Sequence, residues 1–573
     1  MKGRRHSMSI IVLKFGSSVL RSESDLPAAV HEIYRWWRRG KQVVAVVSAF
    51  GDTTDELTRR ANEACDEPDD ALVAALLATG ETASSALLGL ALNKAGIPTT
   101  VLDAERAGLA TSGATLDSNL VSVDAASVLA SLAEGVVVLP GFVGRSQKGQ
   151  TTLLGRGGSD LTALFLAQRL GGVCRLVKDV EGLYTSDPNA NTASKASRFS
   201  EVSYATARRV GGAVVQVKAV DFAEKHRQRF LISRIGSERA TEVGPVVDQI
   251  AIGEPQFRRL RVALLGCGTV GGGVYKRLAA LPELFEVVGV GTRNVERAIS
   301  DDVPVRLITT HVDRLVEQAS ADVVVELLGG IEPAKSLIST ALRLGCDVVT
   351  ANKALLASDN ELIRLASLQG RSIRCSGAVG GVTPALEAVK KARETSSIRA
   401  FSGVLNGTTN FILDELAKGM TFSSALESAQ RLGYAEADPT LDLDGTDAAQ
   451  KLILLAREAF DVDLALSAII RKGINEETTS QAGVLRLVAE CRRVNNGFEA
   501  TVTLVELDHS HPLAEVKGVS NRLLIETADG QVHTVTGRGA GRWPTTEAVL
   551  ADLVELAAEA NSVSTIEEEE CVA

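Results

Sequence analysis

The chain has 573 residues, 45% of them hydrophobic and 23% charged, with a formal net charge of −10. At roughly 150 residues per domain this length holds three to four domains, and the composition excludes wholesale disorder. Acids and bases are interspersed and the balance is negative, which argues against a general nucleic-acid binder. No apolar run is read as approaching the roughly 20 residues of a membrane span. The basic start Met1-Lys2-Gly3-Arg4-Arg5 leads into a short apolar strand and Lys14, not into a secretory core with a cleavage site. Seven cysteines, at 65, 174, 267, 346, 375, 491 and 571, form no CxxC pair, so the expected setting is a reduced cytoplasm.

Short apolar runs alternate with longer helical patterns, at Ile10–Leu13, Val43–Val47, Gly135–Leu139, Arg261–Leu265, Val287–Val290, Val323–Glu326 and Val348–Val349. That alternation predicts parallel sheets covered by helices. Two such series are separated near 236–258, so the expected organisation is an α/β domain over 9–236 and a linker over 237–258. A dinucleotide-binding α/β domain over 259–385 and an α+β domain over 386–560 follow, then an acidic tail over 561–573. The 386–560 block reads as helical first and strand-like later, at Ala500–Glu506 and Arg522–Thr527.

In the first block a strand runs into Lys14-Phe15-Gly16-Ser17-Ser18, a plausible phosphate cradle that is not the GxxxxGK[ST] loop. Trp36-Trp37, within Glu32–Arg39, predicts a helix that packs one tryptophan and frays into a basic end. A second glycine-rich helix start, Gly155-Arg156-Gly157-Gly158-Ser159-Asp160, precedes Lys178-Asp179.

The second block opens on Val262-Ala-Leu-Leu-Gly266-Cys-Gly268-Thr269-Val270-Gly271, a strand entering GxGxxG and then a helix. The first glycine permits the tight turn, the second lets the backbone approach a pyrophosphate, and the third lets helix and strand pack closely. The helix N-terminus supplies free N–H groups and a positive dipole end. The next strand ends at Thr292-Arg293-Asn294, without the acid that holds a ribose 2′-hydroxyl and with Arg293 suited to a 2′-phosphate, so NADP(H) is favoured over NAD(H). Lys353 follows the strand containing Val348–Val349, at the carboxyl end where open α/β sheets bind ligands. Five acids and a lysine fall in the sixteen residues from Glu436 to Lys451. Asp447 and Lys451 share one face of a helix expected over Asp447–Ala456, and the spacing does not make an EF-hand loop. By spacing alone this could equally be a solvated, salt-bridged turn.

The GCGTVG turn, Thr350-Ala-Asn-Lys353, Gly403-Val-Leu-Asn406 with Gly407-Thr-Thr-Asn410, Leu432-Gly433-Tyr-Ala-Glu436-Ala-Asp-Pro439, and Gly537-Arg-Gly539-Ala-Gly541-Arg-Trp-Pro544 resemble homoserine dehydrogenase, over about 259–560. The resemblance implies hydride exchange between NAD(P)H and aspartate semialdehyde, a step toward threonine and methionine. Lys451 would be the proton donor, Lys353 would flank the carbonyl, and Glu436, Asp442 and Asp447 would hold the substrate. Gly266, Gly268, Thr269, Val270, Gly271, Arg293, Lys353, Gly433 and Gly539 would lie at the cofactor. The family's monovalent cation would fall at the carbonyls of Val379, Gly381 and Thr383, but Ser376 stands where the family has its glutamate.

Lys14-Phe-Gly-Ser-Ser, Ser48-Ala-Phe-Gly-Asp-Thr-Thr54, Gly80-Glu81, Gly155–Asp160 and Lys178-Asp179 together resemble the amino acid kinase family, and aspartokinases in particular, over about 9–235. The resemblance implies a site with Lys14, Gly16, Ser17, Ser48, Thr54, Gly158 and Asp179. Lys14 and Lys178 would neutralise the phosphates of Mg-ATP, Asp160 would orient the catalytic lysine, and Glu81 and Arg156 would grip aspartate. The first turn is one residue shorter than the aspartokinase pattern and closer to glutamate 5-kinase. The late His-Pro is missing from Gly212-Ala213-Val-Val-Gln216-Val217, and the dehydrogenase-like part begins where regulatory ACT domains would follow. The block therefore reads either as a working aspartate kinase or as a scaffold or ligand sensor. The expected partners are small-molecule substrates, with no nucleic acid and no membrane, and family resemblance implies a homodimer or homotetramer.

Overall fold

The computed structural model describes residues 10–187, 196–212, 214–252, 258–358, 360–478, 483–495, 497–539 and 541–570, the side chains of 562–570 excepted. Pro188, Ala213, Ala540 and the side chains of the acidic tail lie outside the described residues. The chain splits into two compact units, Met1–Lys94 with Pro98–Gln256 and Ser562–Ala573, and Ala95–Ile97 with Phe257–Asn561.

In the first unit a nine-stranded sheet runs, edge to edge, through Gln249–Ile250, Phe199–Ser203, Ala240–Gly244, Phe230–Arg234, Val173–Lys178, Ile10–Phe15, Gln42–Val47, Val136–Pro140 and Thr99–Val101. The central strand Ile10–Phe15 is parallel to both neighbours and buried along its length, which is why it reads as a continuous apolar run rather than an alternating one. Each fully buried aliphatic side chain in such strands contributes on the order of 1.5–3 kcal/mol. Helix Gly158–Leu170 is buried from Gly158 to Ala167, so its N-terminus is carried inside the unit.

Two readings of this unit need correction. Helix Asp70–Ala95, at 26 residues, is long and apolar enough by composition to cross a bilayer, contrary to the expectation that no run came close. Its inward side places Ala74, Leu77 and Ala78 in the core and carries the buried Glu81. Helix Leu26–Arg38 does not fray into a basic end, because Arg35 and Arg38 are buried. Arg35 pairs with the buried Glu32 at 2.7 Å, and the guanidiniums of Arg35, Arg39 and Arg175 stand 5.2–5.4 Å from the Trp36 ring. A carboxylate in the preceding turn and an aromatic face hold those charges in place of water.

The second unit begins with a six-stranded parallel sheet ordered Ile308–Thr309, Phe285–Gly291, Leu260–Leu265, Val323–Glu326, Asp347–Thr350, Ile373–Arg374. Numbered along the chain that order is 3-2-1-4-5-6, the doubly wound Rossmann topology, whose ligands bind outside the carboxyl ends of the strands where the order reverses. A mostly antiparallel sheet follows, ordered Ile470–Arg471, Gly497–Leu507, Val484–Val494, Ile398–Val404, Ser520–Thr527, Val532–Arg538. Ile398–Val404 lies in the stretch expected to be helical, yet it is a central strand between Val484–Val494 and Ser520–Thr527. Its flanks, helices Ala385–Thr395 and Gly407–Ala417, set the helical period of that region and masked seven residues whose pairing is entirely long-range.

Candidate active sites

In the second unit the nucleotide turn has the backbone its glycines dictate. Gly266 has φ +99°, and a Cβ there would meet the Leu327 carbonyl oxygen at 2.6 Å. A Cβ on Gly271 would come within 1.9 Å of the Gly266 carbonyl, while the space around Gly268 is open. Helix Thr269–Ala279 starts there with Gly268 at its N-cap. The turn therefore fits a dinucleotide pyrophosphate: open backbone at the middle glycine, and close packing that excludes side chains at the other two. Val270 is partly buried and packs against the core beneath the turn. Arg293 is exposed at the end of its strand. One turn farther on, Arg297 donates to the Thr269 hydroxyl at 2.9 Å. Sequence reading singled out Arg293 alone; Arg297 lies in the short helix Val295–Ser300 that follows, capped by Asn294.

A buried ionic cluster is built on helix Thr446–Phe460, which Asp444-Gly445 launches: Gly445 adopts φ +83° and the Asp444 carboxylate accepts the Thr446 N–H. In the first turn of this helix Asp447 meets Lys451 at 2.7 Å, and both are buried. Lys353, 36% exposed, reaches the other oxygen of Asp447 at 3.3 Å. Burial alone would raise the Asp447 pKa, but Lys451 and Lys353 outweigh it and hold the carboxyl at about 2. Lys451 also donates to the Leu405 carbonyl at 2.7 Å, a group shared with Asn521 Nδ2 at 3.2 Å. Gly539 backs onto that Asn521, whose Nδ2 lies 1.9 Å from where a Cβ would be.

Asn406, in the Gly403–Asn410 motif, joins this cluster. Its Oδ1 caps helix Gly407–Ala417 at the Thr409 N–H, and its Nδ2 donates to Asp442 at 2.6 Å and Asp447 at 2.8 Å. Burial and the charge of Asp447 push the Asp442 pKa up, so one amide clamps two carboxylates whose proton affinities are driven apart. An Asn between a strand and a GTTN helix start is legible as an N-cap; the second function of its amide is not. Glu436 is exposed, and no described contact joins it to this cluster. Gly433 ends its helix at φ +71° with open space around it.

At the expected cation segment, Ser376 bonds Asp552 at 2.8 Å and Glu387 at 2.6 Å through its hydroxyl. Val379 and Thr383 are buried. Gly381, at φ +54°, lies against the Arg538 and Gly539 carbonyls.

In the first unit a cavity of about 460 Å³ opens at the carboxyl ends of the central strands. It is lined by Lys14, Gly16, Ser17, Ser48, Thr54, Glu81, Arg156, Gly158, Asp160 and Lys178. Of the residues expected there only Asp179, exposed beside Lys178, does not line it. Phe142 and Gln216, which sequence reading missed, do. Asp160 is held between Lys14 at 2.9 Å and Lys178 at 3.0 Å. Burial raises its pKa, but the two ammoniums prevail and bring it to about 2. Burial, with Lys178 adding to it, lowers the pKa of Lys14 against the pull of Asp160. Gly16 leaves the space its Cβ would occupy, 2.6 Å from Lys14 Nζ. Glu81 accepts the Ala49 N–H at 3.3 Å, and burial pushes its carboxyl up to about 7. Its second oxygen is buried without a hydrogen-bond partner among the described residues. Two ammoniums and a buried helix N-terminus facing one cavity make an anion site.

Three family profiles match the chain: the amino acid kinase family over residues 9–233, the NAD-binding domain of homoserine dehydrogenase over 266–376, and homoserine dehydrogenase over 384–554. Homoserine dehydrogenase of Synechocystis sp. is 36% identical over 320 residues, 52% of this chain and 73% of that protein. The Mycobacterium leprae enzyme is 35% identical over 319 residues, 52% of this chain and 72% of that one. The crystal structure of a homoserine dehydrogenase from Thiobacillus denitrificans aligns with a TM-score of 0.50 at 36% identity, over 52% of this chain and 73% of that one. The chain belongs to the homoserine dehydrogenase family and carries an amino acid kinase domain fused ahead of the dehydrogenase.

Proposed function

We propose that the second unit interconverts L-aspartate 4-semialdehyde and L-homoserine with NADP(H), and that the first phosphorylates L-aspartate with Mg-ATP. The observation that carries the first half is the buried Lys451–Asp447 pair, with Lys353 on the other carboxylate oxygen, in the unit that carries the nucleotide turn. A bound nicotinamide would supply or accept the hydride. Lys451 stabilises the carbonyl oxygen as negative charge develops on it and gives up its proton to make the alcohol; in the reverse direction it takes the proton back. Asp447 orients both lysines, and Asp442 and Glu436 hold the substrate's polar groups. Arg297, which donates to the Thr269 hydroxyl, and the exposed Arg293 are the cations that would take a ribose 2′-phosphate.

In the kinase-like unit Lys14 and Lys178 neutralise the transferring phosphate, Asp160 fixes their positions, and Arg156 and Glu81 take the carboxylate and ammonium of aspartate. Phosphoryl transfer asks for positioning and charge neutralisation, which this cavity offers. The blocks 9–236, 259–385 and 386–560 serve as kinase, nucleotide and substrate domains, in a cytoplasmic homo-oligomer. The deciding experiment measures ATP- and aspartate-dependent acyl phosphate, trapped as the hydroxamate, for wild type and Lys14→Ala, with homoserine oxidation followed in the same preparations. Hydroxamate that disappears in the variant establishes both activities. No hydroxamate beside full dehydrogenase activity makes the first unit a ligand sensor or scaffold.

A further inference from the structure

Lys353 enters the dehydrogenase site from the loop after strand Asp347–Thr350, and the group that shapes this loop has had no role so far. Glu326 ends the neighbouring strand Val323–Glu326 and is 0% exposed. Its Oε1 accepts the N–H groups of Leu328 at 2.8 Å and Gly329 at 3.2 Å, and its Oε2 accepts the Thr350 hydroxyl at 2.6 Å. Thr350 Oγ1 accepts the Asn352 N–H at 3.0 Å, and Asn352 Nδ2 donates to the Gly330 carbonyl at 2.6 Å. These bonds close a ring that joins the loops at the carboxyl ends of two adjacent parallel strands. Asn352 Oδ1 also takes the Leu355 N–H at 3.2 Å, fixing the start of the helix that begins at Lys353. On the other side, Leu327 N–H donates to Leu265 at 2.8 Å, and its carbonyl occupies the space that a Cβ on Gly266 would need. The ring therefore stands between the nucleotide turn and the lysine that touches Asp447.

We propose that Glu326 is a positioning residue for the dehydrogenase reaction: its carboxylate cross-links the two loops so that Lys353 projects to Asp447. The chemistry selects a carboxylate. Glu326 receives three donors on two oxygens, and no cation pairs with it among the described residues. A glutamine loses a bond in either orientation: its amide nitrogen turned to Thr350 leaves the hydroxyl proton without its acceptor, and turned the other way it faces the Leu328 and Gly329 N–H donors. A buried carboxylate is retained only where several donors replace its water. The inference rests on the assignment of Lys353 to the reacting carbonyl.

The test uses the full chain, with homoserine oxidation as the assay and nucleotide binding followed by fluorescence, for Glu326→Gln, Lys353→Met and the double variant. A displacement near 1 Å costs on the order of a hundredfold, so Glu326→Gln is expected to lower kcat about tenfold to a hundredfold. Its nucleotide Kd should stay within about threefold. The double variant should be no slower than Lys353→Met alone, because contacts acting through one group are not additive. Losses that multiply, or a kcat for Glu326→Gln near wild type, overturn the proposal. An unaffected Lys353→Met overturns the lysine assignment instead. Should Glu326→Gln fail to fold, Thr350→Val removes the same cross-link with little change of volume: the same non-additivity supports the proposal, and wild-type turnover refutes it.

Discussion

Replacing Lys451 by methionine keeps most of the side-chain volume and removes one buried ammonium. Two bonds go with it, to Asp447 and to the Leu405 carbonyl, each 2.7 Å long. Breaking a buried ion pair costs about 3–5 kcal/mol when it strands the partner charge. Asp447 is not stranded, since Lys353 at 3.3 Å and Asn406 at 2.8 Å remain, so the expected stability loss is about 1–3 kcal/mol, a shift of a few degrees in Tm. Turnover should suffer far more. Proton transfer by a positioned acid contributes about 10²–10⁴-fold, and a charge placed at a developing oxyanion about 10²–10³-fold. The variant should therefore lose at least about a thousandfold in kcat, in semialdehyde reduction and homoserine oxidation alike, with nucleotide binding retained. Both are read from nicotinamide absorbance beside a thermal melt. A folded variant within tenfold of wild-type kcat would remove Lys451 from the proton path and leave the cluster a structural ion pair.

Arg293→Asp should move cofactor preference from NADP(H) toward NAD(H), and Arg297→Ala should raise KM for NADP(H) while leaving that for NAD(H) nearly unchanged. Equal losses with both nucleotides would place Arg297 at the pyrophosphate instead. Because burial holds the Glu81 carboxyl near 7 rather than at its ordinary 4.5, its carboxylate forms only as pH rises through neutrality. The stability this group contributes through its protonated form is full below its ordinary 4.5 and is lost as pH climbs from there to about 7. The aspartate KM of the proposed kinase reaction should accordingly fall between pH 6 and 8, and Glu81→Gln should flatten that dependence. An unchanged pH profile in the variant takes Glu81 out of ammonium binding. Gly271→Ala should abolish nucleotide binding, because its methyl would sit 1.9 Å from the Gly266 carbonyl; titration of the variant with nucleotide checks this, and wild-type affinity would refute the tight turn.

What the sequence determined by itself is local chemistry. The spacing of Gly266, Gly268 and Gly271, with the strand before them and the helix after them, marks a dinucleotide turn, although only Gly271 answers a steric demand within the turn; the atom that excludes a side chain at Gly266 is the Leu327 carbonyl, brought there by the fold. Lys14 with Gly16, and Asp447 with Lys451, were likewise legible, one at a strand end and one at the i, i+4 spacing of a helix. Tertiary structure alone decided what those groups touch. Strand Ile398–Val404 was hidden between helices because its partners lie more than eighty residues away in sequence. Asn406 reads as a cap until the fold brings Asp442 and Asp447 to its amide. Arg35 and Arg38 look like a solvated basic end until Glu32 and Trp36 enclose the Arg35 charge. Glu326 reads as the last residue of an apolar strand; its three donors come from its own loop and from the next strand, and only sheet pairing sets them side by side. Motif spacing records constraints that act along the backbone over a few residues. A buried polar network is satisfied by groups distant in sequence, and its identity is settled when the layers close and every buried donor and acceptor must find a partner.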